Sequence, residues 1–252
     1  ANPSMASWGD DGYLAQQKCR LPSHKYRRLH LNLPGSPDGA FLDQAVVLGA
    51  IIAGRKALPH DPAHRYAAFV DMSGGSNDDA TLGIAHREGG RIILDRIESQ
   101  AGKPPFNPRH AVKKFAAIVK DYGLRVVHGD NYAGETFKAD FAAEGIAYRA
   151  STMSASDLYE AFEPKLNAGE VELLDVQKLQ EQLLTLVVKG TKVTHPPGDH
   201  DDFANAAVGA LLSVFDQPFI VTQELLRRAA ALPTRRPAFA NRRISFPSQW
   251  RT

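Results

Sequence analysis

Two short apolar runs in this chain each end on an aspartate followed by turn-forming residues. Tyr66-Ala67-Ala68-Phe69-Val70-Asp71 runs into Met72-Ser73-Gly74-Gly75, and Leu124-Arg125-Val126-Val127-His128-Gly129-Asp130 runs into Asn131-Tyr132-Ala133-Gly134. Both read as buried strands with an acid at the exit. A third acidic element follows the break His195-Pro196-Pro197-Gly198, where Asp199-His200-Asp201-Asp202 opens the alanine-rich apolar run Phe203-Ala204-Asn205-Ala206-Ala207. That pattern predicts a helix with a negatively charged first turn. Carboxylates there suit the unpaired amides and the positive end of the helix dipole, so a capping role explains Asp201 and Asp202 taken alone. Three acids on three elements, however, can converge on one point.

Converging carboxylates repel one another unless protons or cations compensate them. The chain offers oxygen donors for that purpose. Cys19 is its only cysteine, which excludes an intrachain disulfide and a cysteine-based zinc site. The implied cofactor is a hard divalent cation, Mg²⁺ or Mn²⁺.

The segments between the acids alternate. Strands are predicted at Ala67–Asp71, Thr81–His86 and Arg91–Ile97, the last two joined by the hairpin signal Glu88-Gly89-Gly90. Asn107-Pro108 caps and starts a helix whose apolar positions Val112, Phe115, Ala116, Val119 and Tyr122 follow helical spacing up to Gly123. The strand to Asp130 follows. Then come a helix (135–144), a strand (146–149), a helix from Ser156, a strand at Val171–Leu174, a helix at 176–185, a hairpin over 186–194 and a helix over 201–215. Alternation of this kind implies an α/β sheet with parallel crossovers. Residues 1–60 read as irregular, with Pro22, Pro34, Pro37 and Pro59 and one helix around 41–53. A last helix is expected near 221–231, ahead of an arginine-rich end that reads as disordered when free.

With 252 residues and 43% hydrophobic content, the chain can bury a sizeable core in one domain with extensions. No apolar run approaches a membrane span and no charged-then-apolar leader opens the sequence, so the expectation is a soluble protein with no membrane partner. The formal net charge of +2 conceals an uneven distribution. Residues 1–65 hold eight Lys/Arg against five Asp/Glu, residues 66–216 fifteen against twenty-two, and residues 217–252 seven against one. The acidic centre accords with a carboxylate metal site and equally with a solvated surface; the basic flanks suit a polyanion or an acidic partner.

Three antiparallel strands, a crossover helix, a parallel strand with an acid at its tip and a closing acidic helix describe a ribonuclease H-like mixed sheet flanked by helices. The chain resembles the nuclease domain of the large terminase subunit of tailed bacteriophages. The segments that carry the resemblance are Phe69-Val70-Asp71-Met72-Ser73-Gly74-Gly75 with Asp78-Asp79-Ala80, His128-Gly129-Asp130-Asn131-Tyr132-Ala133-Gly134-Glu135, Ser156-Asp157-Leu158-Tyr159 with Phe162, Gly169-Glu170-Val171-Glu172-Leu173-Leu174, and His200-Asp201-Asp202-Phe203-Ala204-Asn205-Ala206. They stand in family order over about residues 66–215.

The resemblance implies Asp71, Asp130 and Asp202 as catalytic metal ligands, with Asp201 as an additional or alternative ligand and Asp71 bridging two ions. Asp78 or Asp79 would approach the second metal or shape the turn. The implied reaction is two-metal hydrolysis of double-stranded DNA with little sequence preference during genome packaging. His200 is a candidate for proton transfer; Lys189, Lys192, Asn131 and Tyr132 are candidates for DNA contact, and Glu135 also falls beside the second acid. The implied partners are double-stranded DNA, an ATPase motor domain, the small terminase subunit and the portal protein, in the cytoplasm of the bacterial host. The expected division is a linker from the motor at 1–65, the nuclease at 66–216, and a C-terminal helix and basic tail at 217–252.

Two departures stand out. Ala155 occupies the place where the family often has a lysine before its Ser-Asp-Leu-Tyr segment, and no Gly-x-x-x-x-Gly-Lys-Ser/Thr phosphate loop occurs. A Holliday-junction resolvase or transposase of the same fold, a non-catalytic ribonuclease H-like binding module, and a sugar-kinase-like ATPase are the alternatives to weigh.

Overall fold

In the computed structural model the described residues are 11–20, 26, 29–30, 39–72, 79–100, 107–130 and 134–215, without the side chains of residues 11, 19 and 134–136. Of the two units into which the chain divides, Ala1–Pro218 and Phe219–Thr252, all described residues belong to the first. The helix expected near 221–231 lies outside them.

The centre of the sheet forms as its patterning dictates. Strand β2 (Tyr66–Asp71) pairs antiparallel with β3 (Ala80–Glu88), which pairs antiparallel with β4 (Arg91–Gln100). Gly89 and Gly90, at φ 57° and 89°, make the tight β3–β4 turn that side-chain-bearing residues rarely adopt. On one side β5 (Val126–Gly129) and β6 (Ala147–Ala150) add in parallel to β2. On the other, β7 (Val171–Leu174) adds in parallel to β4, and β1 (Ile51–Ile52) adds in parallel to β7. The resulting seven-stranded order is β1-β7-β4-β3-β2-β5-β6.

Alternate residues of the buried strands face two separate cores. Ala68, Val70, Leu82 and Ile84 meet α3 (Pro108–Asp121) and α4 (Gly134–Ala143) through Val112, Phe115, Val119 and Phe141. Ala67, Phe69, Ala85 and Leu94 meet the opposite layer, made by α2 (Gln44–Ala50), α5 (Ala155–Asn167), α6 (Gln177–Thr185) and α7 (Asp202–Ser213). Asn107 caps α3 by accepting from the Arg109 amide, and Ser154 and Asp157 form a reciprocal capping box on α5.

Helix α7 lies directly on the sheet because two glycines remove the side chains that would separate them. A methyl at Gly83 of β3 would overlap the Ala206 carbonyl, and one at Gly209 of α7 would overlap the Phe69 ring. Nearly every residue of α7 is buried, which is why its sequence is apolar on all sides.

The N-terminal part departs from the expected irregular linker. Asp11–Arg20 forms helix α1, and Phe41, Leu42 and Val47 belong to the same core as α7. The helix expected over 41–53 is confined to α2, capped by the Asp43 carboxylate, after which Ile51-Ile52 becomes the edge strand. Two residues are too few for a strand pattern to show in the sequence. The expected hairpin forms from β8 (Val187–Lys189) and β9 (Lys192–Thr194) as a separate two-stranded sheet. No helix of the described residues is long and apolar enough to cross a membrane.

Candidate functional site

Parallel pairing of β2 with β5 sets Val70 opposite Gly129, so the residues that follow, Asp71 and Asp130, leave the same end of the sheet side by side. The Tyr148 hydroxyl donates to the Asp130 carbonyl at 2.8 Å and fixes the chain at that exit.

Helix α7 brings its first turn to the same place. Asn205 Nδ2 donates to Asp71 Oδ2 at 2.7 Å, and the Asp79 amide donates to Asp202 Oδ2 at 3.2 Å. Asp201 holds the N-cap position yet makes no side-chain cap bond. The helix amides are satisfied from elsewhere: buried Gln182 of α6 accepts from Phe203 N at 2.7 Å and from Ala204 N at 3.1 Å. The capping explanation for the acid pair therefore fails for Asp201, because a neutral amide oxygen from another helix does that work. Asp201 Oδ2 instead accepts from the Tyr159 hydroxyl at 2.8 Å, and its Oδ1 lies 3.7 Å from His195 Nε2.

This crowding has an electrostatic consequence. Loss of water around the Asp71 carboxylate, reinforced by the charges of Asp202, Asp201 and Asp130, pushes its pKa up to about 7 against the opposing Asn205 hydrogen bond. Burial, with the nearby Asp201 charge, also raises the Tyr159 hydroxyl well above its ordinary value, so it remains a donor. The donor set suits a hard cation on chemical grounds. Three carboxylates act on the buried Asp71, which is reluctant to ionise without a compensating charge, and the buried Asn205 Oδ1 has no hydrogen-bond partner among the described residues. Asp71, Asp130, Asp201 and Asp202 thus offer the oxygen donors that a divalent cation takes.

Asp71, Asp130, Asp201, Asp202 and Asp79 are brought together. The Asp79 carboxylate is also held by Lys178 Nζ at 2.6 Å. Lys178 comes from α6, so a positive charge reaches the site from a different helix than the one whose expected lysine is replaced by Ala155. Lys189 and Lys192 are exposed and pair across β8–β9, and His200 is exposed in the loop before α7. Asn131, Tyr132 and Asp78 lie outside the described residues, as does the Glu135 side chain.

Asn205, Lys178, Gln182 and His195 belong to the site although the sequence pattern did not mark them as members. Asn205 had a legible signal, since it stands three residues after Asp202 on the same helical face. The others had none, because they come from α6 and from the loop after β9.

No family model and no curated protein matches the chain. Solved structures do. The large terminase nuclease of thermophilic phage G20c superimposes with a TM-score of 0.56 at 17% identity, covering 69% of this chain and 97% of that one. Further crystal structures of the G20c nuclease carry magnesium, zinc or cobalt. The large terminase of a second thermophilic bacteriophage gives a TM-score of 0.65 at 13% identity, covering 84% of this chain and 54% of that one. The HK97 bacteriophage large terminase gives 0.54 at 17% identity, covering 83% and 52%. The chain spans about half the length of these two terminases and nearly the whole G20c nuclease. Its fold is that of the large terminase nucleases.

Proposed function

We propose that this chain is the nuclease portion of a large terminase subunit and hydrolyses phosphodiester bonds of double-stranded DNA during genome packaging. The observation that carries the reading is the convergence on Asp71. Burial of its carboxylate, reinforced by the charges of three further aspartates from the end of β5 and the start of α7, pushes its pKa up to about 7. Asp71, Asp130 and Asp202 would hold Mg²⁺ or Mn²⁺, with Asp201 and Asp79 at the margin of the ligand set. When bound, the ions would supply an activated water and offset charge on the departing oxygen.

The chain's own residues prepare the site for that chemistry. Asn205 fixes one oxygen of Asp71 and eases its ionisation. Gln182 satisfies the α7 amides, so the acids are not needed as caps. Tyr159 holds Asp201, and Lys178 holds Asp79. The exposed Lys189 and Lys192 of the β8–β9 hairpin, with Asn131 and Tyr132 beyond the second acid, are proposed to meet the DNA backbone. In this reading residues 66–216 form the body of the nuclease, to which α2 and β1 add from the preceding segment, the rest of 1–65 comes from the side of an ATPase motor, and 217–252 are a basic tail. The small terminase subunit and portal would be further partners, in the cytoplasm of the host cell.

The test is incubation of the purified chain with supercoiled plasmid and Mn²⁺ or Mg²⁺. Nicking and linearisation that EDTA abolishes and Asp71→Ala removes is the expected result. Absence of cleavage by folded, metal-loaded protein would overturn the claim that this chain cuts DNA by itself.

A further inference from the structure

At the opposite end of β2 from Asp71, a second group of metal-ligating side chains surrounds an open pocket of about 440 Å³. His86 faces Tyr66 across the β2–β3 ladder, and the chain just before β2 carries His64 onto it. The two imidazoles stack with centroids 4.3 Å apart and planes inclined by 30°. His64 Nε2 lies 3.8 Å from Glu88 Oε1 and 3.8 Å from Asp61 Oδ2, and His86 Nε2 lies 4.0 Å from Glu88 Oε2. One ligand atom from each of His64, His86 and Glu88 falls within 4.8 Å of the others.

The state of His86 decides what this pocket wants. Its Nδ1 lies 2.8 Å from both oxygens of Asp95, a carboxylate only 1% exposed. A carboxylate accepts, so Nδ1 carries a proton, and in the neutral ring Nε2 is then the nitrogen that offers a lone pair. His86 is itself only 4% exposed, and that Nε2 has no hydrogen-bond partner among the described residues. A buried carboxylate that orients a histidine while its far nitrogen faces other ligands is the arrangement that supports metal-bound imidazole. The surroundings favour a cation: Asp61, Glu88, Asp95 and Glu172 line the pocket, and the arginine beside them, Arg55, is bound to Glu172 at 2.6 Å.

We propose that His64, His86 and Glu88 form a second metal site, distinct from the aspartate cluster, that takes a first-row divalent cation of the zinc type, with Asp61 or water completing the shell. Two imidazoles and a carboxylate suit Zn²⁺ far better than Mg²⁺. Zn–ligand bonds of about 2.0–2.1 Å place tetrahedral donors about 3.3 Å apart. The two histidines stand 3.8 and 4.0 Å from Glu88 oxygens, and all three ligand atoms lie within 4.8 Å of one another, so binding would draw them together, with the exposed Glu88 free to move. The ion would staple the segment before β2 to the β3–β4 turn. This inference stands independently of the nuclease reading.

The test titrates chelator-stripped protein with Zn²⁺, and with Co²⁺ as a visible-absorbing probe, while recording absorbance, stoichiometry and thermal melting. Four proteins are compared: wild type, the Asp71→Asn/Asp202→Asn double variant, His64→Gln and Glu88→Gln. The double variant is expected to retain one tightly bound Zn²⁺, the absorption of four-coordinate Co²⁺ and the metal-dependent rise in melting temperature. His64→Gln and Glu88→Gln should each weaken Zn²⁺ binding at least about tenfold while keeping the wild-type circular dichroism. Zn²⁺ binding that disappears in the double variant, or that persists unchanged in both His64→Gln and Glu88→Gln, would overturn the proposal.

Discussion

Asn205 Nδ2 donates a 2.7 Å hydrogen bond to Asp71 Oδ2, joining the first turns of the closing helix to the tip of a central strand. Through this one bond the helix that carries Asp202 also sets the orientation and proton affinity of Asp71. The amide donor favours the ionised carboxylate against the desolvation and like charge that oppose it.

Replacing Asn205 with alanine should therefore make Asp71 harder to ionise. The acidic limb of the pH–rate profile for plasmid nicking is expected to move to higher pH, with less loss of rate at pH 9 than at pH 7. A uniform loss of rate with an unmoved profile would mean that Asn205 only supports packing.

Asp71→Asn and Asp202→Asn should each lower metal-dependent cleavage by more than about 100-fold, the upper range seen when a residue merely supporting a metal ligand is lost. Both proteins should keep the wild-type circular dichroism, since each substitution relieves repulsion among the acids. Cleavage within tenfold of wild type in either variant would remove that residue from the site.

The raised Asp71 pKa makes stability depend on pH in a definite direction. Unfolded, Asp71 titrates near an ordinary carboxylate, about 4; folded, at about 7. Between those values the folded chain binds the extra proton, so the metal-free protein loses stability as pH rises from about 4 to about 7, and this contribution is fully present only below that window. Buried Asp95 is shifted the same way, whereas Glu172 and Glu98 are shifted downward by their basic partners. The informative quantity is accordingly the difference between wild type and Asp71→Asn in melting temperature, measured in chelator across pH 4–8. Saturating Mn²⁺ should restore wild-type stability most at the alkaline end; parallel curves for the two proteins would refute the assignment.

Gln182→Ala removes the only acceptor described for the Phe203 and Ala204 amides. Stranding those donors at a buried helix start should cost about 1–3 kcal/mol in denaturant-induced unfolding. Gln182→Glu keeps the acceptor but adds a charge beside the acids, so it should restore part of the stability while raising the metal concentration needed for half-maximal protection less than alanine does.

Gly209→Ala tests how closely α7 lies on the sheet. The added methyl meets the Phe69 ring, two residues before Asp71, and overpacking of this kind costs about 1–3 kcal/mol. If the helix shifts to accommodate it, cleavage should fall further than stability alone explains, as judged by activity well below the melting transition.

Local chemistry alone determined much of this protein. Short continuous apolar runs, the Glu88-Gly89-Gly90 turn, the Asn107-Pro108 cap and the helical spacing from Val112 to Val119 each act within a few residues, so the β2–β3–β4 meander, the crossover helix and the places of Asp71, Asp130 and Asp202 at the ends of their elements were legible without coordinates. What depended on partners distant in sequence was not. Whether Asp201 spends its carboxylate on a helix cap was decided by Gln182 from another helix, and the positive charge facing Asp79 arrived from Lys178 rather than from position 155. Ile51-Ile52 became a strand only because β7 offered an edge to pair with. His64 and His86 stand at no metal-binding spacing along the chain; the β2–β3 register, with Tyr66 opposite His86, stacks them. Cross-strand neighbours and burial exist only once the sheet has closed, and they set the proton affinity of Asp71 and the Asp95 contact that orients His86.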